Sequence, residues 1–120
     1  MASIDVRSMN QPDESRTPEK TSVDVVHLGA ATVARLTVQP GWKWSECIKP
    51  VVGTESCQAA HLGYVVSGRM HIACADGTEA DIGAGDTYRI EPGHDAWVLG
   101  DDPVVALEFE SKTAETYAKG

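Results

Sequence analysis

Residues Val65–Gly85, VVSGRMHIACADGTEADIGAG, decide the fold. Two strand-like runs, Met70–Cys74 and Glu79–Ile82, flank Asp76-Gly77, a dipeptide that supplies the positive φ angles of a tight hairpin turn. The same texture continues outward in both directions. Val23–Leu28, Ala31–Val38, Glu46–Lys49, Gln58–Val66, Thr87–Ile90, His94–Leu99 and Val104–Glu110 are further candidate strands. Each is short, rich in Val, Ile, Thr or aromatic residues, and bounded by turn chemistry such as Gly29, Pro40-Gly41, Ser67-Gly68, Gly83-Ala84-Gly85, Pro92-Gly93 and Asp101-Asp102-Pro103. Closely spaced strands with no long helical pattern between them predict an all-β domain, a single antiparallel β-barrel or jelly roll, and not a parallel α/β sheet.

The flanks are different. Residues 1–21 are mostly polar and charged, with too few apolar positions to offset the entropy of ordering, and are expected to form a flexible N-terminal arm. Residues 22–112 are the expected barrel, and 113–120 a C-terminal tail or short helix, the helical pattern covering Ser111–Lys119. A chain of 120 residues suits one core and is too short for two.

Composition excludes several partners. Ten Lys and Arg against 18 Asp and Glu give a net charge of −8, which repels phosphate backbones and argues against nucleic acid. No stretch approaches the ~18 apolar residues of a membrane span, and no secretion signal is visible, so a cytoplasmic protein that does not bind membranes is expected. The three cysteines, Cys47, Cys57 and Cys74, are an odd number without a CxxC pair, which argues against a disulfide framework.

Between Gly41 and Gly93 the glycine intervals resemble the two motifs of the cupin family. Gly41 is followed after five residues by Cys47-Ile48-Lys49, and His61-Leu62-Gly63-Tyr64-Val65-Val66-Ser67-Gly68 ends on the glycine that closes the first motif. Gly85-Asp86 is followed by Pro92-Gly93 at the second motif's interval, with His94-Asp95-Ala96-Trp97 beyond. The resemblance covers roughly residues 24–110. It implies a cupin barrel, often paired as a homodimer, and one divalent metal held by three His and one Glu. This chain departs from that ligand set. Cys47 and Lys49 stand where two His are expected, His61 where the Glu is expected, and Ala96 where the last His is expected.

A different site can be assembled from strand periodicity. Residues two apart share a face, so His61 projects with Gly63 and Val65, and His94 with Ala96. With Cys47 at a motif position, Cys47, His61 and His94 form a candidate set of one thiolate and two imidazoles, suited to zinc first and iron second. Cys57 is a less convenient ligand. On a regular strand its Cα would stand about 13 Å from that of His61, so a bend or bulge is required. The bland alternatives are a hydrogen-bonded core imidazole at His61, a turn residue at His94 and packing filler at the cysteines. His27 and His71 occupy no motif position.

Trp42 and Trp44 alternate across Lys43 and, with Trp97, are candidates for a pocket wall or a barrel plug. Glu46, Tyr64 and Arg89 are candidates to orient a small polar ligand, and Asp95 to fix the His94 tautomer. No GxSxG elbow, phosphate-binding loop or dinucleotide fingerprint is present. Two functions follow from this reading. One is a metal-binding small-molecule protein, by resemblance an oxygenase, isomerase or lyase. The other is a metal-free ligand-binding or sensing module on the same barrel.

Overall fold

The computed structural model describes residues 3–109. In chain order the elements are β1 (Glu14–Arg16), β2 (Thr21–Leu28), β3 (Ala31–Val38), α1 (Trp44–Cys47), α2 (Lys49–Val52), β4 (His61–Ser67), β5 (Arg69–Cys74), β6 (Glu79–Gly83), β7 (Thr87–Ile90), β8 (His94–Leu99) and β9 (Val104–Phe109). They form a six-stranded sheet in the order β1-β2-β3-β9-β4-β7 and a three-stranded sheet in the order β6-β5-β8. Every pairing is antiparallel. Among the described residues the sheets do not close into one hydrogen-bonded ring, so the expected barrel takes its jelly-roll form, two sheets enclosing one core.

Alternation fixes what the core contains. Val23, Val25, Leu36, Val38, Val65, Val104 and Ala106 face inward from the larger sheet; Met70, Ile72 and Ala96 face them from the smaller. The chain crosses between sheets at Gly68, between β4 and β5. Its φ of 85° is open to glycine at little cost, and a Cβ there would stand 2.7 Å from Val104 Cα. The hairpin read from Asp76-Gly77 is present: β5 pairs with β6, and the Thr78 N–H donates to Asp76 Oδ1 at 2.9 Å.

Three differences from expectation have physical causes. Glu46–Lys49, read as a strand, lies in α1 and α2. Lys43 bridges Trp97, then the chain leaves the sheet; Asp95 Oδ1 takes the Ser45 N–H at 3.1 Å, and Pro50 occupies the first turn of α2, where its missing N–H costs nothing. The strand read from Gln58 begins only at His61. Within the segment expected as an arm, Glu14–Arg16 pairs with β2, so sheet pairing begins before residue 22. Side chains fasten this segment: Arg35 donates to Asn10 Oδ1 at 3.1 Å, and the His27 N–H donates to Asp13 Oδ2 at 2.8 Å. The helix expected at Ser111–Lys119 lies outside the described residues. No helix among those described is long and apolar enough to cross a membrane.

Candidate metal centre

His61 opens β4 on its inward face, and the alternation that places it continues through Gly63 and Val65, all three buried. Gly63 pairs with Tyr88 on one side and Glu108 on the other. A Cβ at Gly63 would lie 2.6 Å from the Tyr88 hydroxyl oxygen, so the missing side chain is what lets that ring cross the strand. The Tyr88 hydroxyl then donates to Glu108 Oε2 at 2.6 Å, and His61 Nδ1–H donates to Glu108 Oε1 at 2.9 Å. Both carboxylate oxygens are engaged, and Glu108 is only 3% exposed.

His94 opens β8, inward with Ala96. Its Nδ1 lies 2.7 Å from the Glu91 carbonyl, a pure acceptor, so Nδ1 carries the proton and Nε2 keeps a lone pair in the neutral ring. The rings of His61 and His94 meet edge to face, their centroids 5.1 Å apart.

Cys57 completes the cluster. It is held not by β4 but by an isolated bridge to His94: the Cys57 N–H donates to the His94 carbonyl at 2.7 Å, and the Gly93 N–H to the Cys57 carbonyl at 2.7 Å. Residues 58–60 are not strand, and their bend brings Cys57 Sγ to 3.6 Å from His61 Nε2. One donor atom from each of Cys57, His61 and His94 lies within 4.8 Å of the others, and all three residues are buried. The bend removes the separation of a straight strand.

Electrostatics make this a charged cluster in a dry place. Burial raises the Cys57 thiol, but contacts with His61 and then His94 overcome it and bring it down to about 6. Burial lowers His61, and the opposing Glu108 charge, with the Cys57 contact, lifts it to about 10. The alternating thiolate, imidazolium and carboxylate offset one another. Burial and the Glu108 charge raise Tyr88 far above its usual range, so its hydroxyl remains a donor.

Other candidate residues are distributed differently. Cys47 sits on α1 in the apolar core outside this cluster, its thiol raised by burial, because its segment is helix and not strand. Trp42 and Trp44 are buried and line a cavity of about 30 Å³ with His61, His94, Tyr88 and Glu108. Trp97 does not join them, since β8 alternation turns it outward to stack on His71 at 4.7 Å beneath Lys43 Nζ. Glu46, Tyr64 and Arg89 are exposed. Arg89 lines a groove of about 410 Å³ that shares Ile72 and Ile90 with the cavity wall. Asp95 positions α1 through Ser45 instead of orienting His94, which the Glu91 carbonyl does. Glu108 and Tyr88 were not singled out from the sequence. A signal for Glu108 exists: it holds the inward register of Val104 and Ala106, a carboxylate on an apolar face.

No protein-family model and no curated protein sequence matches this chain. Solved structures do. Oxalate decarboxylase from Lactobacillus farciminis, solved as a formate complex, is 19% identical with a TM-score of 0.63 over 91% of this chain and 33% of its own. This chain thus spans about a third of that enzyme. The polyketide cyclase RemF from Streptomyces resistomycificus is 16% identical, TM-score 0.62, over 88% of this chain and 78% of its own. A cupin-like protein from Thermotoga maritima is 15% identical, TM-score 0.51, over 74% and 66%. These likenesses establish the cupin fold. At such identities they carry no activity across.

Proposed function

We propose that this cupin-fold chain is a metal-binding small-molecule protein in which Cys57, His61 and His94 hold one divalent ion, zinc first and iron second. The observation that carries this reading is the tautomer pattern around three buried donors. Each imidazole spends Nδ1–H on a carboxylate or carbonyl oxygen, leaving Nε2 for the site, and the thiol is brought down by its neighbours. One soft sulfur with two nitrogens suits zinc, iron(II) or copper over magnesium or calcium. Three protein ligands leave a coordination position for water or substrate, as in catalytic sites. When bound, the metal would polarise a substrate oxygen or activate a water.

The chain's own residues set the rest. Glu108 fixes the ring of His61 and balances its charge, Tyr88 fixes Glu108, and Trp42 and Trp44 help wall the site from water. Oxygenase, isomerase or lyase chemistry on a small molecule is the catalytic form of this proposal. The metal-free binding module is its rival. A homodimer is part of the proposal, supported by Leu62, Tyr64, Val66 and Phe109 exposed on the outer face of β4 and β9. Three free cysteines fit a reducing cytoplasm.

Elemental analysis of protein purified without an affinity tag tests the metal. Near one equivalent is expected, and cobalt reloading should give a thiolate charge-transfer band that Cys57→Ser removes and Cys47→Ser keeps. If no metal co-purifies and none can be loaded, the metal reading fails and the binding module stands. A clean monomer in sizing chromatography would overturn the dimer.

A further inference from the structure

The cavity beside the cluster holds a mismatch of donors and acceptors. Trp42 and Trp44 are 2% and 1% exposed, and neither indole Nε1–H has a hydrogen-bond partner among the described residues. A buried donor without an acceptor is costly, and two on one cavity wall call for an explanation. The wall's other polar groups are in use. Glu108 accepts from His61 and Tyr88, and His94 Nδ1 is bonded to the Glu91 carbonyl. Both Nε2 atoms belong to the Cys57 cluster. The remaining lining is chiefly aliphatic, including Leu36, Val65, Ile72 and Ile90. What these two indole donors lack, among the described residues, is an acceptor of their own.

A water that accepts from an indole brings two protons of its own, each needing a lone pair elsewhere on the wall. A carboxylate matches better: it is acceptor-only, and its two oxygens offer about four lone-pair sites. Size sets the limit. About 30 Å³ is room for roughly two waters, hence for a carboxylate group with little beyond it. Ile72 and Ile90 separate this cavity from an outer groove of about 410 Å³ that they also line.

We infer that Trp42 and Trp44 are specificity-determining residues, their two indole N–H groups donating to the oxygens of a small carboxylate ligand in the cavity beside Cys57, His61 and His94. The inference rests on the proposed metal site for the positive charge that draws an anion into this acidic protein. Indole donors, being neutral, supply direction without adding charge.

The test is a titration of zinc-loaded, ¹⁵N-labelled full-length protein with sodium formate and then sodium acetate, reading the three indole N–H resonances. Assignment comes from Trp42→Phe, Trp44→Phe and Trp97→Phe. The Trp42 and Trp44 signals are expected to move downfield and saturate, while Trp97 stays in place. Each of Trp42→Phe and Trp44→Phe should weaken formate binding about tenfold, in line with losing one hydrogen bond to a charged group. If neither indole responds, or if both Phe variants bind formate as well as the parent, the inference is overturned. Should a Phe variant fail to fold, the parent protein's shifts decide. Zinc content measured on the same sample separates the two readings. Bound zinc with silent indoles sinks this inference alone. Indoles that respond in protein unable to hold metal sink the metal site and keep the recognition.

Discussion

His61 and His71 both hydrogen-bond to carboxylates, but at different depths and with different ring atoms left over. His61 gives Nδ1 to Glu108 and turns Nε2 toward Cys57, its side chain 4% exposed. His71, on the outer face of β5, gives Nδ1 to Asp81 at 2.6 Å and Nε2 to Glu79 at 2.7 Å. Both its nitrogens are consumed, on opposite edges of the ring, so its carboxylates cannot share one ion with it. The difference teaches what makes a site here. Carboxylates beside a histidine are common to both regions; a ring nitrogen turned toward a second buried metal-ligating side chain belongs only to the interior.

The largest effect expected follows directly. Cys57→Ser should drop the metal from near one equivalent to below a tenth by elemental analysis, whereas His71→Gln and Cys47→Ser leave it unchanged. Metal retained in Cys57→Ser would erase the contrast between interior and surface. Next in size is the carboxylate behind His61. Glu108→Gln keeps the shape and removes the charge, and should weaken metal affinity about 10–100-fold in a chelator competition. Glu108→Ala strips the partner from a buried ion pair, and should cost about 3–5 kcal/mol in urea unfolding. A Glu108→Ala protein as stable as the parent would mean that the interior pair matters no more than a surface one.

That contrast was only partly legible in the sequence. Periodicity placed His61, Gly63 and Val65 on one inward face, and His94 with Ala96, because a strand's two-residue period is local. The turns at Asp76-Gly77 and Ser67-Gly68 were legible for the same reason. Cys57 is hard to place from sequence because its position depends on a bend between residues 57 and 61 and on a bridge to His94, 37 positions away, neither written in local pattern. Cys47 stands at a motif interval that suggests a strand, but Asp95 and Pro50 favour helix there and the residue falls outside the cluster. Glu108, 47 residues from His61, is joined to it only by the β4–β9 register.

Gly63 offers a smaller and sharper handle on the interior. Gly63→Ala would push a Cβ to 2.5 Å from the Leu107 carbonyl oxygen and 2.6 Å from the Tyr88 hydroxyl. The β9 backbone must shift to relieve the first contact and the Tyr88 ring to relieve the second, and with that ring moves the hydrogen bond that fixes Glu108. A loss of about 1–3 kcal/mol is expected from the overpacking. Gly63→Ala combined with Tyr88→Phe tests the cause. If the clash and the hydroxyl act as one unit, the double variant loses less than the sum of the singles.

The smallest effect is expected at His71, and its sign is what matters. The hydrogen bond to Asp81, then that to Glu79, favours the imidazolium over the opposing cost of desolvation, so the folded value lies above the ordinary 6.5. A group bound more tightly when protonated stabilises the fold fully below the unfolded value of about 6.5, and loses that contribution as pH rises through the folded one. The melting-temperature gap between the parent and His71→Gln should therefore be widest near pH ~6 and close on the alkaline side. Added salt should narrow it, since water and ions reach these side chains. A gap that widened with pH would show that His71 is held as the neutral ring, and the two histidines would then differ in charge as well as in what their nitrogens can reach.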